Sequence, residues 1–194
     1  MTHQNKTAVT AAPILPVIAN RWSPRAFNTT YQLTQHELLS VLEAARWAPS
    51  ANNGQPWRFS VLERGTKLHS ELVPALAGWN AAWAPTASAL IVVSREAFTA
   101  DGQPHPWSMY DAGLAVGSLI IQAQELGLYT HQMAGLNKEL AANVLGLSDD
   151  LDIITVIAIG QLGSVDSLEG PLAEREVAPR TRKELDEIVL HGKP

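Results

Sequence analysis

The chain has 194 residues, no cysteine, and 14 Lys and Arg against 19 Asp and Glu, for a formal net charge of −5. That length fits one domain with a buried core, and the missing cysteines exclude disulfides, thiolate catalysis and cysteine-held metal; a reducing cytoplasm is compatible. The mildly acidic balance has no basic face for nucleic acid, and no segment approaches the roughly 20 apolar residues of a membrane span. Charged residues are 17% of the chain, against about a quarter in a usual soluble domain, so the surface is short of charge for a monomer and points to a covering partner.

Residues 1–19 read as a loose arm leading into a short helix or turn. One lysine and an apolar patch broken by Pro13 and Pro16 do not make a cleaved signal peptide. Thr34 and Glu37 form a capping box for a helix carrying Leu38, Leu39, Leu42 and Ala45, which Pro49 ends. Residues 57–62 alternate as a strand, and residues 67–72 begin another helix. Residues 87–94 (ASALIVVS) predict a buried strand, and residues 111–126 a helix closed by Gly127 as a left-handed cap. A short strand near 130–134 leads to a helix over 138–145, capped by Asn137 and closed by Gly146. Residues 153–159 (IITVIAI) predict a second apolar strand, and residues 183–190 a last helix or strand edge. The irregular alternation predicts an α+β or mixed α/β layer architecture rather than a βαβ repeat.

The sequence lacks GxGxxG, GxxxxGK[ST] and GxSxG, so neither a dinucleotide fold, a P-loop nor a nucleophile elbow has support. Its six histidines are scattered, with no pair at i,i+3 or i,i+4, which argues against a histidine-held metal. Three polar clusters remain. Arg21, Ser23 and Arg25 place two guanidinium forks around a hydroxyl, half of a phosphate clamp or else a solvated turn. Arg180-Thr181-Arg182 repeats the theme near the other end, again as a clamp or an exposed basic turn. Residues 48–57 (APSANNGQPW) hold prolines and small amides in series, suited to hydrogen-bonding the edge of a planar heteroaromatic ligand or to a structural connector.

R-x-S-x-R, then WAPSANNGQPWRF, MAGL, IAIGQLG and APRTRKELDEIV, in this order from about residue 20 to 189, resemble the nitroreductase family of FMN-dependent oxidoreductases. The resemblance implies an α+β fold: a central, mostly antiparallel sheet flanked by helices, in an intertwined homodimer with FMN at the subunit interface. Residues 20–194 would be the FMN-binding domain behind the arm. It implies that Arg21, Ser23 and Arg25, with Trp22 through its backbone, contact the FMN phosphate and ribityl chain, and that Arg180 and Arg182 close on the same phosphate. Pro49, Ser50, Ala51, Asn53 and Gln55 would reach the flavin from the partner subunit. Asn80 matches the family's flavin-contacting Asn, and Met133, Ala134 and Gly135 the backbone beside the ring. Larger members carry a Glu before that Gly and a Lys after that Asn, where this chain has Ala134 and Trp83. The resemblance implies that flavin binding should survive this change, because those contacts are partly backbone.

The implied chemistry is ping-pong hydride transfer from NADH or NADPH, through the flavin, to a nitroaromatic or quinone-like acceptor, with no catalytic side chain and no metal. Dehalogenation, substrate dehydrogenation, flavin fragmentation and non-catalytic flavin binding stay open as alternatives on the same scaffold. Asp111 begins its helix as a favourable partner of the helix dipole. Ala112, Gly113, Ala115, Gly117 and Ser118 form a small-residue stripe that predicts close helix packing, plausible across a dimer. The six tryptophans read as core or interface residues, with Trp107 a candidate for the substrate opening. No Lys or Arg lies between Arg95 and Lys138, which concentrates the charge deficit in the segment expected at the dimer contact.

Overall fold

The structure, a computed structural model, describes residues 6–99 and 101–192; residues 1–5 of the predicted arm and the last two residues lie outside it. Its elements in chain order are α1 (Pro16–Asn20), α2 (Gln35–Arg46), β1 (Trp57–Glu63), α3 (Lys67–Leu72), α4 (Asn80–Trp83), β2 (Ala89–Glu96), α5 (Ser108–Glu125), β3 (Tyr129–Met133), α6 (Lys138–Leu145), β4 (Leu151–Gly160), α7 (Pro171–Val177) and α8 (Leu185–Ile188). The four strands form one sheet in the order β1-β2-β4-β3, with every neighbouring pair antiparallel. This is the α+β class expected, with helices on both faces.

Alternation along the two central strands builds two cores. Leu90, Val92, Val156 and Ala158 face one side, with Phe27, Leu72, Trp83 and Met133, while Ile91, Val93, Ile157 and Ile159 face the other, with α2 and α5. A sheet covered on both faces reads as continuous apolar runs, which is why ASALIVVS and IITVIAI stand out in the sequence. Both strands run further than those runs. Arg95 pairs with Asp152 across the ladder, 3.1 Å apart, so polar residues extend the sheet past the apolar segment.

The helix boundaries follow local chemistry. Thr34 Oγ1 accepts from the Glu37 N–H at 3.2 Å and the Glu37 carboxylate accepts from the Thr34 N–H at 2.8 Å. The Asn137 side chain accepts from the Leu140 N–H, and Gly146 closes α6 with φ 61°, both as expected. α5 starts earlier than expected, because the buried Ser108 hydroxyl donates to the His105 carbonyl and accepts from Arg95. On α5 the small-residue stripe divides. Ala112, Ala115, Leu119 and Ala123 are buried against the sheet and α2, whereas a Cβ on Gly113 or Gly117 would meet nothing within 4 Å. Trp22, Trp57 and Trp83 are core residues; Trp47, Trp79 and Trp107 are exposed in this chain at 73%, 50% and 60%. Residues 26–28 lie against the end of β4, where Asn28 N–H donates to Gln161 O and Gly163 N–H to Ala26 O, each at 2.9 Å. Gly163 is required by space: a Cβ there would sit 2.5 Å from the Phe27 carbonyl. Among the described residues no helix is long and apolar enough to cross a membrane.

Candidate functional site

The chain's two arginine clusters, remote in sequence, come together. Arg21 follows α1, and its Nη1 donates to Ser23 Oγ at 3.3 Å. Burial first, then the like charges of Arg180 and Arg182, push the Arg21 guanidinium below its ordinary pKa. Arg180 is lowered by burial and by Arg182. Both guanidiniums still carry their charge near neutrality; the lowering reflects burial first and like charge second. Three such cations, with Ser23 beside them, form a surface suited to a multiply charged anion.

Arg25 takes a different place. Its amide N–H donates to both oxygens of Glu176, at 2.9 and 3.1 Å, the Ala26 N–H donates to Glu176 Oε1 at 3.1 Å, and the Arg25 Nη1 lies 3.9 Å from Glu176 Oε2. Glu176 is fully buried. It holds the backbone between Arg25 and Ala26 in place and sets Arg25 beside a carboxylate. The neighbouring Arg175 lies over the Trp79 ring, 5.0 Å from its centroid, which ties α7 to the residue preceding Asn80.

The segment 21–25 runs beside the edge strand β3. Trp22 meets Tyr129 edge-on at 6.2 Å, and the His131 Nδ1 lies 2.8 Å from the Pro24 carbonyl oxygen, with its ring against Trp83. Burial holds His131 down to about 4, against the raising effect of the Pro24 bond, so the ring is neutral at pH 7. At the end of β3, Met133 is buried and its carbonyl accepts from the Thr155 hydroxyl at 2.9 Å. The Gly135 carbonyl accepts from the Ala77 N–H at 3.0 Å and from Asn80 Nδ2 at 3.3 Å. Asn80 and residues 133–135 are therefore one unit, and β3 joins that unit to the arginines. Ala134, between them, is exposed.

Residues 49–55 lie elsewhere. They enter β1, at the opposite edge of the sheet from β3, roughly 14 Å away across three inter-strand spacings. Asn52, Asn53 and Gln55 have φ of 51°, 57° and 48°, the left-handed region that costs a non-glycine residue about 1 kcal/mol or more each. Gly54 is not among them; a Cβ there would lie 3.2 Å from Ala51 O and 3.4 Å from His105 Nε2. Among the bonds that hold the shape, the Ser50 hydroxyl accepts from the Gln55 N–H at 3.1 Å, and the buried Asp111 carboxylate accepts from the Ala51 N–H at 3.2 Å. Asp111 thus anchors this loop, a role beyond the helix dipole. Within one chain the predicted site residues fall into two groups, one at each sheet edge.

Sequence reasoning did not reach Glu176, Lys6 or the anchoring role of Asp111. A single acid two residues before Ala178-Pro179-Arg180 is the only signal for Glu176, and nothing in the sequence places Lys6 at the arginines.

The Nitroreductase family model matches residues 18–85 and 72–161. A solved structure described as "the oxidoreductase containing FMN" superposes with a TM-score of 0.90 at 36% identity, over 100% of this chain and 98% of that one. An uncharacterised 15.4 kDa protein of Mycolicibacterium smegmatis is 32% identical over 137 residues, 68% of this chain and 90% of its own length. A Bacillus subtilis (strain 168) protein, provisionally named NAD(P)H nitroreductase YdgI, is 24% identical over 184 residues, 76% of this chain and 87% of its own. On the family match, the topology and the shared sequence together, the chain belongs to the nitroreductase family.

Proposed function

We propose that this protein is an FMN-dependent oxidoreductase that takes hydride from NADH or NADPH and passes it, in a ping-pong cycle, to nitroaromatic or quinone-like acceptors. The observation that carries this reading is the convergence of the two arginine clusters: Arg180 Nη1 donates to Ala19 O at 2.7 Å, two residues before Arg21, whose own Nη1 donates to Ser23 Oγ, and Arg182 is near enough to bear on Arg21. Like charges left facing one another are relieved by an anion, and a phosphate monoester with its fork-shaped recognition by arginine fits this donor set. The FMN named for the 36% identical structure, and the NAD(P)H in the name of the Bacillus subtilis relative, support the choice of cofactor and donor.

In this reading Arg21, Ser23 and Arg182 hold the phosphate, Arg180 adds charge behind them, Trp22 contributes backbone, and Arg25 lies at the edge beside Glu176. Met133, Ala134, Gly135 and Asn80 border the ring, and Pro49, Ser50, Ala51, Asn53 and Gln55 approach it from a second copy of the chain. FMN, when bound, supplies the redox chemistry, accepting hydride and handing on electrons. The side chains bind, orient and leave one ring face open to donor and acceptor in turn. Because residues 49–55 and the arginines stand at opposite sheet edges, the site is complete only in a homodimer. Exposed Trp47, Trp107 and Tyr110 near this loop, and Leu185, Ile188 and Leu190 at the C-terminal end, are apolar surface for that contact. Residues 20–194 would then carry the FMN contacts, in a compartment that supplies NAD(P)H, the cytoplasm.

The test is the double variant Arg21→Ala with Arg182→Ala. It is expected to purify colourless while the unaltered protein is yellow; full FMN occupancy in the variant would overturn the phosphate assignment.

A further inference from the structure

Residues 6–8 of the predicted arm are not loose. The Ala8 N–H donates to Ala19 O at 2.9 Å, and the Thr7 hydroxyl donates to Asn20 Oδ1 at 2.9 Å, so both residues fasten to the end of α1, immediately before Arg21. Lys6 faces the other arginine cluster: its carbonyl accepts from Arg180 Nη1, which also donates to Ala19 O at 2.7 Å, and its ammonium donates to Ala178 O. That ammonium lies 5.2 Å from the centroid of the Trp22 ring, in a side chain that is almost fully buried. Each of these bonds ends on one of two segments, 19–22 or 178–180, which are about 160 residues apart and carry Arg21 and Arg180.

We infer that residues 6–8 are a strap of the anion site, stitching the two arginine segments into one surface, with Lys6 adding a further positive charge behind it. This rests on the phosphate reading above. Burial lowers the Lys6 pKa first; Glu176 then favours its charged form and Arg180 opposes it. Arg25 Nη1 lies 3.9 Å from the same carboxylate. Lys6 is a positioning residue: its buried ammonium is spent on Ala178 and Trp22, and it acts through Arg180 and Arg21. Since the strap works on the charged end of a ligand, its loss should weaken FMN and spare riboflavin, which has the same ring without the phosphate. One unit charge a few ångströms behind a partly exposed site corresponds to about a tenfold change in affinity.

The experiment measures binding of FMN and of riboflavin, by quenching of flavin fluorescence, to the full-length protein, to Lys6→Met, and to a variant lacking residues 2–8. The strap predicts FMN binding about tenfold weaker in Lys6→Met and weaker still in the shortened protein, with riboflavin binding unchanged in both. The Thr7→Val variant, which keeps every charge, should fall between the unaltered protein and Lys6→Met. Equal loss of FMN and riboflavin, or no loss of either in a folded variant, overturns the strap while leaving the cofactor reading intact. Failure of the unaltered protein to prefer FMN over riboflavin overturns both.

Discussion

Removing the carboxylate of Glu176 should cost more stability than any other single change at the arginine end of the protein. Glu176 is fully buried and accepts from two backbone N–H groups, those of Arg25 and Ala26, while neutralising Arg25 at 3.9 Å. In Glu176→Ala both N–H groups lose their partner, and Arg25 and Lys6 lose the negative charge of Glu176 that favours their charged forms. Breaking a buried pair from one side costs about 3–5 kcal/mol, so about 4 kcal/mol is expected here, a large share of the roughly 5–15 kcal/mol that holds a domain together. Glu176→Gln keeps one oxygen that can accept from both N–H groups, but it removes the charge and puts an NH2 donor in place of the second acceptor; about 2 kcal/mol is expected. Urea unfolding at pH 7 reads both values as shifts of the midpoint at constant slope. A cost below about 1 kcal/mol for the alanine variant, or a glutamine variant no more stable than the alanine one, would refute the view that this carboxylate anchors the segment carrying Arg21 and Ser23.

Gly163→Ala should destabilise by about 3 kcal/mol or more, because its Cβ would meet the Phe27 carbonyl carbon and oxygen at 2.5 Å, and backbone has little room to yield; a thermal midpoint equal to that of the unaltered protein would contradict it. His131 is held down to about 4 by burial, against about 6.5 in the unfolded chain. Above pH 6.5 both states are neutral there, and below it the unfolded state takes up the proton first. His131 should therefore cost about 2 kcal/mol of stability between pH 6.5 and 5, a loss that His131→Phe abolishes and that urea midpoints at the two pH values measure. Asp111→Ala leaves the Ala51 N–H without its acceptor beside three left-handed residues. We expect a loss of about 1–2 kcal/mol and faster proteolysis at residues 49–55, and an unchanged cleavage rate would remove Asp111 as the anchor of that loop.

The parts of this fold legible in the sequence were those set by local chemistry. Thr34 with Glu37, and Asn137 with Gly146, fix helix ends through bonds spanning three or four residues, and the apolar runs of β2 and β4 announce a sheet buried on both faces. What escaped was short or long-range. Helix α4 has 4 residues and α7 has 7, too few for a periodic pattern, and both are held by packing rather than propensity. The arginine clusters were visible as clusters, but their meeting depends on residues 26–28 lying against the end of β4 and on Glu176 holding residues 25–26. The exposure of Trp47, Trp79 and Trp107 ran against the tendency of tryptophan to be buried, and apolar surface left open in one chain is what a second copy would cover. Asp111 looked sufficient as a dipole partner, since nothing in sequence brings Ala51 to it across 60 positions.

The most direct test of the proposed function is an anaerobic titration of the FMN-loaded protein with NADH and with NADPH, followed by the absorbance of the oxidised flavin. A reductase predicts complete bleaching by at least one of the two, and return of the colour when a quinone or nitroaromatic acceptor is added. Flavin that stays oxidised with both donors would contradict the account and leave a protein that holds FMN without using it.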